Sequence, residues 1–281
     1  MDQVRIIAYG ITLGSVVVTS LALQDPVKTI AASTEGGTLS LVANGEDFVR
    51  QGFVSKDGWA INFENVYVNL SDAIAYSTES TFDPQAGDTK EDIKYENKVN
   101  FDPNQVPTDL AAGEVDAEPI MVGEVNATPG FYNALAWRLS PGGEDSPIAG
   151  NTIALIGQAT KDGSTINFDL GLNQPTEYVC GEFIGESRRG IVTAENSGQV
   201  EATFHFDHIF GDADSPPEDA LNQDALGFQP LAVLASNGTV KLDQAALANQ
   251  LSDPDYQKLN DAIASLGHVG EGHCVVNPIS P

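Results

Sequence analysis

The chain has little of several things, and each shortage removes a class of function. Of its 281 residues, 13 are Lys or Arg against 40 Asp or Glu, a formal charge of -27. A surface so poor in cations repels phosphate backbones and anionic lipid, so neither nucleic acid nor a membrane surface is expected as a partner. Two methionines leave no Met cluster for carrying Cu(I). Two cysteines, Cys180 and Cys274, rule out a CxxC redox pair or a cysteine-based zinc knuckle. No HExxH, GxSxG, Walker loop or dinucleotide fingerprint occurs, because the nearest candidate reads His268-Val-Gly-Glu-Gly-His273. The stretch Gly211 to Pro217 resembles an EF-hand only at its start: Pro217 stands where the turn glycine is required and Gln223 where the bidentate glutamate belongs.

Only one long apolar run exists, residues 6–23, preceded by Arg5 and followed by Gln24, Asp25 and Pro26. It reads as a secretory signal core with small residues for cleavage after Ala22, or as an uncleaved anchor; residues 1–24 are assigned to this segment. No membrane association is expected beyond it, and the protein is expected to be periplasmic or secreted. In that oxidising setting the two cysteines read most simply as one Cys180–Cys274 disulfide closing a long loop. Two separate buried thiols, or Cys274 as a soft metal ligand beside His273, are the alternatives.

A hydrophobic content of 41% with 7% aromatics describes a chain that folds. From residue 37 it reads as short strands: 37–43, 48–53, 59–70, 73–77, 120–125, 131–139, 152–158, 165–170, 177–184 and 200–209. Trp59, Ile61 and Phe63 alternate with polar neighbours, and the phase then moves to Val66, Val68 and Leu70, which predicts a bulge at Glu64 or Asn65. Residues 79–117 are acidic, broken by prolines and poor in periodicity, and predict a surface excursion. Many short strands with almost no helix between them argue for a mainly β fold, an antiparallel β-sandwich or Greek-key barrel over residues 37–210. Helix signals begin at residue 211 and are clearest over 252–266, where Ser252 or Asp253 caps, Pro254 opens the first turn and Gly267 ends the helix. Residues 211–281 therefore read as a small helical subdomain and a tail that returns to the β-domain.

What is concentrated is histidine. All four lie in two pairs, His205-Phe-Asp207-His208 and His268 to His273. In a strand continuing to Ile209, Val200, Ala202, Phe204 and Phe206 face the core, which puts His205 and Asp207 on the outer face and turns His208 away unless the strand breaks. Asp207 can work with either histidine, and spacing does not choose. Three glycines around the second pair let the backbone curl, and Glu271 is a further ligand or an orienting group. A disulfide at Cys274 would fix His273 beside strand 177–184, and a hairpin between 177–184 and 200–209 would carry His205 towards it. A histidine capping a strand end, or His268 bonded to carbonyls of the last helix, is the ordinary structural alternative for each residue alone.

Taken together, His205, His208, His268, His273, Asp207 and Glu271 predict a site for one transition-metal ion. Neutral nitrogens with a carboxylate suit Zn2+ or Cu2+. The expected function is an extracytoplasmic metal-binding protein for acquisition, buffering or delivery, with a metal-delivery or transport protein as partner. The alternatives are a metal-dependent hydrolase in which Glu271 or Asp207 is the base, and a non-catalytic surface or adhesion sandwich with a structural metal or none. No catalytic residue is singled out, and a binding role is favoured over an enzyme.

Thr128-Pro129-Gly130-Phe131-Tyr132-Asn133-Ala134-Leu135-Ala136-Trp137 resembles a PGxYxxLxF-like strand of exported β-sandwich proteins of the methanobactin-associated, copper-binding type. The resemblance spans one strand and implies an exported sandwich and copper as the metal. It carries over no ligand.

Overall fold

A computed structural model of the protein describes residues 36–80, 82–102, 106–181, 190–270, 272 and 274–279. The apolar run 6–23, His273 and Glu271 lie outside these residues. Among the described residues no helix is long and apolar enough to cross a membrane.

The elements in chain order are β1 (Gly37–Asn44), α1 (Glu46–Gln51), β2 (Phe53–Val54), β3 (Ala60–Val68), β4 (Leu70–Thr78), β5 (Tyr95–Asn100), β6 (Thr108–Asp109), β7 (Ile120–Ala127), β8 (Gly130–Leu139), β9 (Ile153–Lys161) and β10 (Ser164–Leu172). There follow β11 (Thr176–Cys180), β12 (Ile191–Val192), β13 (Gly198–Phe204), α2 (Asp207–Phe210), α3 (Ala220–Asp224), α4 (Gln229–Val233), β14 (Thr239–Asp243), α5 (Gln244–Gln250), α6 (Asp253–Ala264), β15 (Gly267–His268) and β16 (Cys274–Pro278). With 45% strand and 20% helix the fold is mainly β and sandwich-like.

Three sheets surround the core. The first runs β15-β13-β1-β7, the second β14-β10-β9-β3-β2 with β6 on β3, and the third β16-β11-β8-β4-β5 with β12 on β8. Most ladders are antiparallel, but β1 with β13 and β10 with β14 are parallel. The segment after residue 211 supplies one outer strand to each sheet, β14, β15 and β16, as well as α3 to α6. The disulfide Cys180–Cys274 joins β11 to β16 at the end of their ladder, and the described residues hold no free cysteine. Such a bond points to an oxidising compartment.

Local chemistry explains most elements. The expected bulge is present, as the β3–β9 register shifts between Phe63 and Asn65. Helix α6 starts where Ser252 Oγ accepts the Asp255 N–H, with Asp253 and Asp255 at its positive end, and stops at Ser265. Gly267, expected as the stop signal, instead opens β15. Strand β8 is buried almost throughout because both faces are covered: Trp137 and Leu135 face the main core, whereas Ala134 and Ala136 join a smaller cluster with Tyr76, Phe82 and Val179. An aromatic group of Phe53, Phe63, Phe168, Phe206, Phe210 and Phe228 fills the space beneath α2, with ring centroids 5.6 to 6.2 Å apart for Phe168–Phe228, Phe63–Phe206 and Phe210–Phe228. Full burial of each such side chain contributes roughly 1.5–3 kcal/mol.

Four expectations are corrected. Of the expected strand 48–53 only Phe53 is extended, in β2; Glu46–Gln51 is a helix, because Asn44 Oδ1 takes the Glu46 N–H, Glu46 and Asp47 sit in the first turn and Val49 packs inward. The excursion 79–117 contains strand β5, which pairs with β4. Strand 200–209 ends at Phe204, and Asp207–Phe210 is a helical turn. Its cause is the i, i+3, i+4 set Phe206, Ile209 and Phe210, all fully buried, which only a helical turn places on one side. Finally, β11 and β13 form no hairpin, since β11 pairs with β8 and β16, and β13 with β1 and β15.

Candidate metal centre

The end of β13 delivers the first histidine pair. After Phe204 the His205 N–H donates to Leu266 O at 3.1 Å, which anchors the chain beside the C-terminal end of α6. The backbone then turns, and the His208 N–H donates to His205 O at 3.2 Å. This turn is the strand break under which His208 was expected to swing round: three residues apart on a helical turn, the His205 and His208 rings lie 5.5 Å apart. Asp207, expected on an outer face, is buried.

Strand β15 brings His268 to the same place. It pairs with β13 in register Thr203↔His268, and the Gly270 N–H donates to Thr203 Oγ1 at 2.9 Å. The His268 ring is 4.4 Å from His205 and 5.3 Å from His208, centroid to centroid. The glycine loop curls as the sequence suggested, for Val269 and Gly272 exchange backbone hydrogen bonds across a turn with Gly270 at φ 52°. His273 and Glu271 are not among the described residues. Cys274 is taken up by the disulfide and so is no metal ligand.

Nitrogen and oxygen atoms of His205, Asp207 and His208 lie within 4.8 Å of one another, a group able to hold a metal ion. Two of its atoms are conspicuous. His205 Nε2 and Asp207 Oδ1 are buried and have no hydrogen-bond partner. A buried polar atom without a hydrogen bond generally costs about 1–3 kcal/mol, which is why such atoms mark a place where a ligand would be stabilising.

Ser265, the residue that caps α6, orients the other two rings. Its hydroxyl donates to Ala262 O, and the His208 Nδ1–H then donates to Ser265 Oγ at 3.0 Å, which leaves Nε2 as the lone-pair nitrogen of His208. The His268 Nε2–H donates to Ser265 O at 3.0 Å, so Nδ1 carries the lone pair there. Hydrogen bonds of this kind fix tautomer and ring direction in metal-binding histidines. The bond from His268 to the helix end is also the structural alternative expected for that residue, and His268 is not one of the three residues whose ligand atoms lie within 4.8 Å of one another.

One group near the centre has no signature in the sequence. Glu46, the first residue of α1, places Oε1 3.7 Å from His205 Nε2. It lies some 160 positions upstream of His205 in a stretch read as turn and strand, among forty acidic residues. Only the parallel pairing of β1 with β13, with Asn44 beside Thr203, brings it there. Its one local signal is the Asn44-Gly45 pair before it, which marks a break in the backbone but not a ligand.

No protein-family model, curated protein or solved structure matches this chain.

Proposed function

We propose that the protein binds one transition-metal ion at His205, Asp207 and His208, with His268 closing the group, and acts outside the cytoplasm in acquisition, buffering or delivery of that ion. The observation that carries this reading is the pair of buried atoms that make no hydrogen bond, His205 Nε2 and Asp207 Oδ1, inside one group of ligand-type atoms. A cation would relieve both at once, since imidazole and carboxylate lone pairs are what zinc and copper(II) take. Donors about 2.0–2.2 Å from one ion stand roughly 3.4 Å apart in a tetrahedron, so atoms of His205, Asp207 and His208 within 4.8 Å of one another need small side-chain movements to meet one ion. The acidic surface supports capture by concentrating cations around the molecule. The disulfide and the apolar segment 6–23 support a periplasmic or secreted setting. The one-strand likeness to exported copper-binding sandwiches leaves copper beside zinc as the candidate.

Metal analysis of protein purified without a histidine tag tests the proposal, with His205→Leu and His208→Ala as controls. The parent is expected to carry close to one equivalent of zinc or copper after dialysis against either metal, and the variants none. At a free metal concentration about 100 times Kd the parent gains about 2.7 kcal/mol of stability, and a chelator removes it. Equal and negligible metal in parent and variants sinks the proposal.

A further inference from the structure

The chain has two Asn-Gly pairs, Asn44-Gly45 and Asn237-Gly238, and the fold holds them differently. Asn44 is half-buried, and both ends of its side chain are engaged: Oδ1 accepts the Glu46 N–H at 2.9 Å and Nδ2 donates to Glu201 Oε1 at 3.0 Å. Gly45 beside it is buried, and a Cβ there would lie 2.6 Å from Val49 Cγ2. Asn237 and Gly238 are instead exposed at the tip of a two-residue turn, with φ 52° and 74°, the left-handed pair that such turns select. Ser236 and Thr239 close the turn by exchanging backbone hydrogen bonds at 2.8 and 3.1 Å, and the Asn167 N–H donates to Gly238 O at 2.9 Å. Among the described residues nothing accepts the Gly238 N–H or bonds the Asn237 amide. A Cβ at Gly238 would meet only Thr165 O, at 3.6 Å, so the space around its nitrogen is open.

An asparagine in this setting can react with its own backbone. The Gly238 nitrogen attacks the Asn237 side-chain carbonyl carbon and the new C–N bond closes a cyclic imide. The side-chain nitrogen leaves as ammonia, taking the proton shed by the Gly238 amide. Water then opens the ring at one of its two carbonyls. Opening at the side-chain carbonyl gives aspartate, and opening at the main-chain carbonyl gives isoaspartate, in which the backbone runs through the former side chain. Ring closure needs the turn to open locally, which at Asn237 breaks three backbone hydrogen bonds and disturbs no packed side chain. At Asn44 both side-chain bonds must break as well, beside the buried Val49.

We propose that Asn237 is a site of spontaneous modification, deamidating to aspartate and isoaspartate, and that its two side-chain hydrogen bonds protect Asn44 from the same reaction. Aspartate keeps the turn, because its short polar side chain tolerates left-handed backbone. Isoaspartate adds a backbone carbon to a two-residue turn and pulls Ser236 away from Thr239. Thr239 opens β14, the outer strand of the second sheet, which is held by one parallel ladder to β10.

Peptide mapping by mass spectrometry tests this on the untagged full-length chain, aged in warm, mildly alkaline buffer both folded and in denaturant. In the folded chain Asn237 should convert about tenfold or more faster than Asn44, the protection that two side-chain hydrogen bonds give. In denaturant the two rates should agree within about threefold, since both pairs then carry the same unhindered glycine. The aged chain should also melt about 2–4 °C below the fresh one, whereas Asn237→Asp, which has the charge without the extra backbone atom, should melt with the fresh parent. Equal conversion of Asn44 and Asn237 in the folded chain, or conversion of neither while the denatured chain converts both, overturns the proposal. A rate difference in denaturant as large as that in the folded chain overturns the protective role given to the fold. Equal melting of aged and fresh chains overturns the break at the start of β14.

Discussion

Ser265 Oγ lies 3.0 Å from His208 Nδ1 and donates its own hydrogen bond to Ala262 O, so the end of α6 dictates which nitrogen of His208 can face an ion. The same residue's carbonyl holds His268. One serine thus orders two rings that arrive from different parts of the chain, His208 from the turn after β13 and His268 from β15.

Ser265→Ala removes the acceptor for His208 without touching any proposed ligand. Zinc or copper affinity should fall about 10- to 100-fold, the usual cost of losing an orienting partner, while metal-free stability falls by only about 1 kcal/mol. Calorimetric titration beside thermal unfolding separates the two effects. Unchanged affinity would mean that His208 is ordered by packing alone.

Gly267 is the residue between Leu266 and His268, and a Cβ built there would lie 2.6 Å from Tyr178 Cδ1. The Tyr178 ring cannot yield, as it is fully buried, stacked on Trp137 at 5.4 Å, and its hydroxyl donates to Ile263 O at 3.2 Å. Gly267→Ala should therefore push β15 outward and cost about 1–3 kcal/mol. Because His268 rides on β15, metal affinity should drop with stability. A titration showing full affinity would argue that His268 is dispensable.

The Cys180–Cys274 bond closes a loop with a sequence separation of 94 that contains all four histidines. On the chain-entropy relation its removal costs about 4–5 kcal/mol. Cys180→Ser combined with Cys274→Ser should shift the denaturant midpoint accordingly, and added reductant should do the same to the parent. Identical unfolding curves with and without reductant would contradict the bridge.

On β11, far from the histidines in sequence, Glu177 faces Arg138 across the β8 ladder and also meets Lys90 at 2.6 Å. Burial pushes its carboxyl up, but the hydrogen bond and charge of Lys90, with those of Arg138, outweigh burial and leave it below the ordinary glutamate value. A carboxylate held below its unfolded value contributes stability that is present above the ordinary glutamate range and lost as pH falls through the lowered one. Glu177→Gln should accordingly lower stability at neutral pH and flatten its decline on acidification. Parallel pH–stability curves for parent and variant would show that Lys90 and Arg138 are too well solvated to matter.

How much of this could be read beforehand depends on the range of the interaction that decides each feature. Strands β3, β8, β9 and β10 were legible because alternation and apolar runs are local patterns, and the shift at Phe63 to Asn65 could be placed because the phase change is written in consecutive residues. The turn after β13 is not legible locally, because Phe206 satisfies two periods at once. It continues the alternation of Ala202 and Phe204, and it also starts the helical set Phe206, Ile209 and Phe210. Only the aromatic pocket made by Phe63, Phe168 and Phe228 settles which period wins.

By itself the sequence determined the mainly β class, the cap of α6, the pairing of the only two cysteines and the histidine groups from which the centre is built. These follow from short-range pattern, or from there being only one way to combine two residues. The convergence of His205, His208 and His268, the orienting role of Ser265 and the approach of Glu46 were decided by tertiary structure alone. Each depends on ladder register between distant strands, β1 on β13 and β13 on β15. That register is chosen by how whole faces of apolar side chains fit together, which no local pattern encodes.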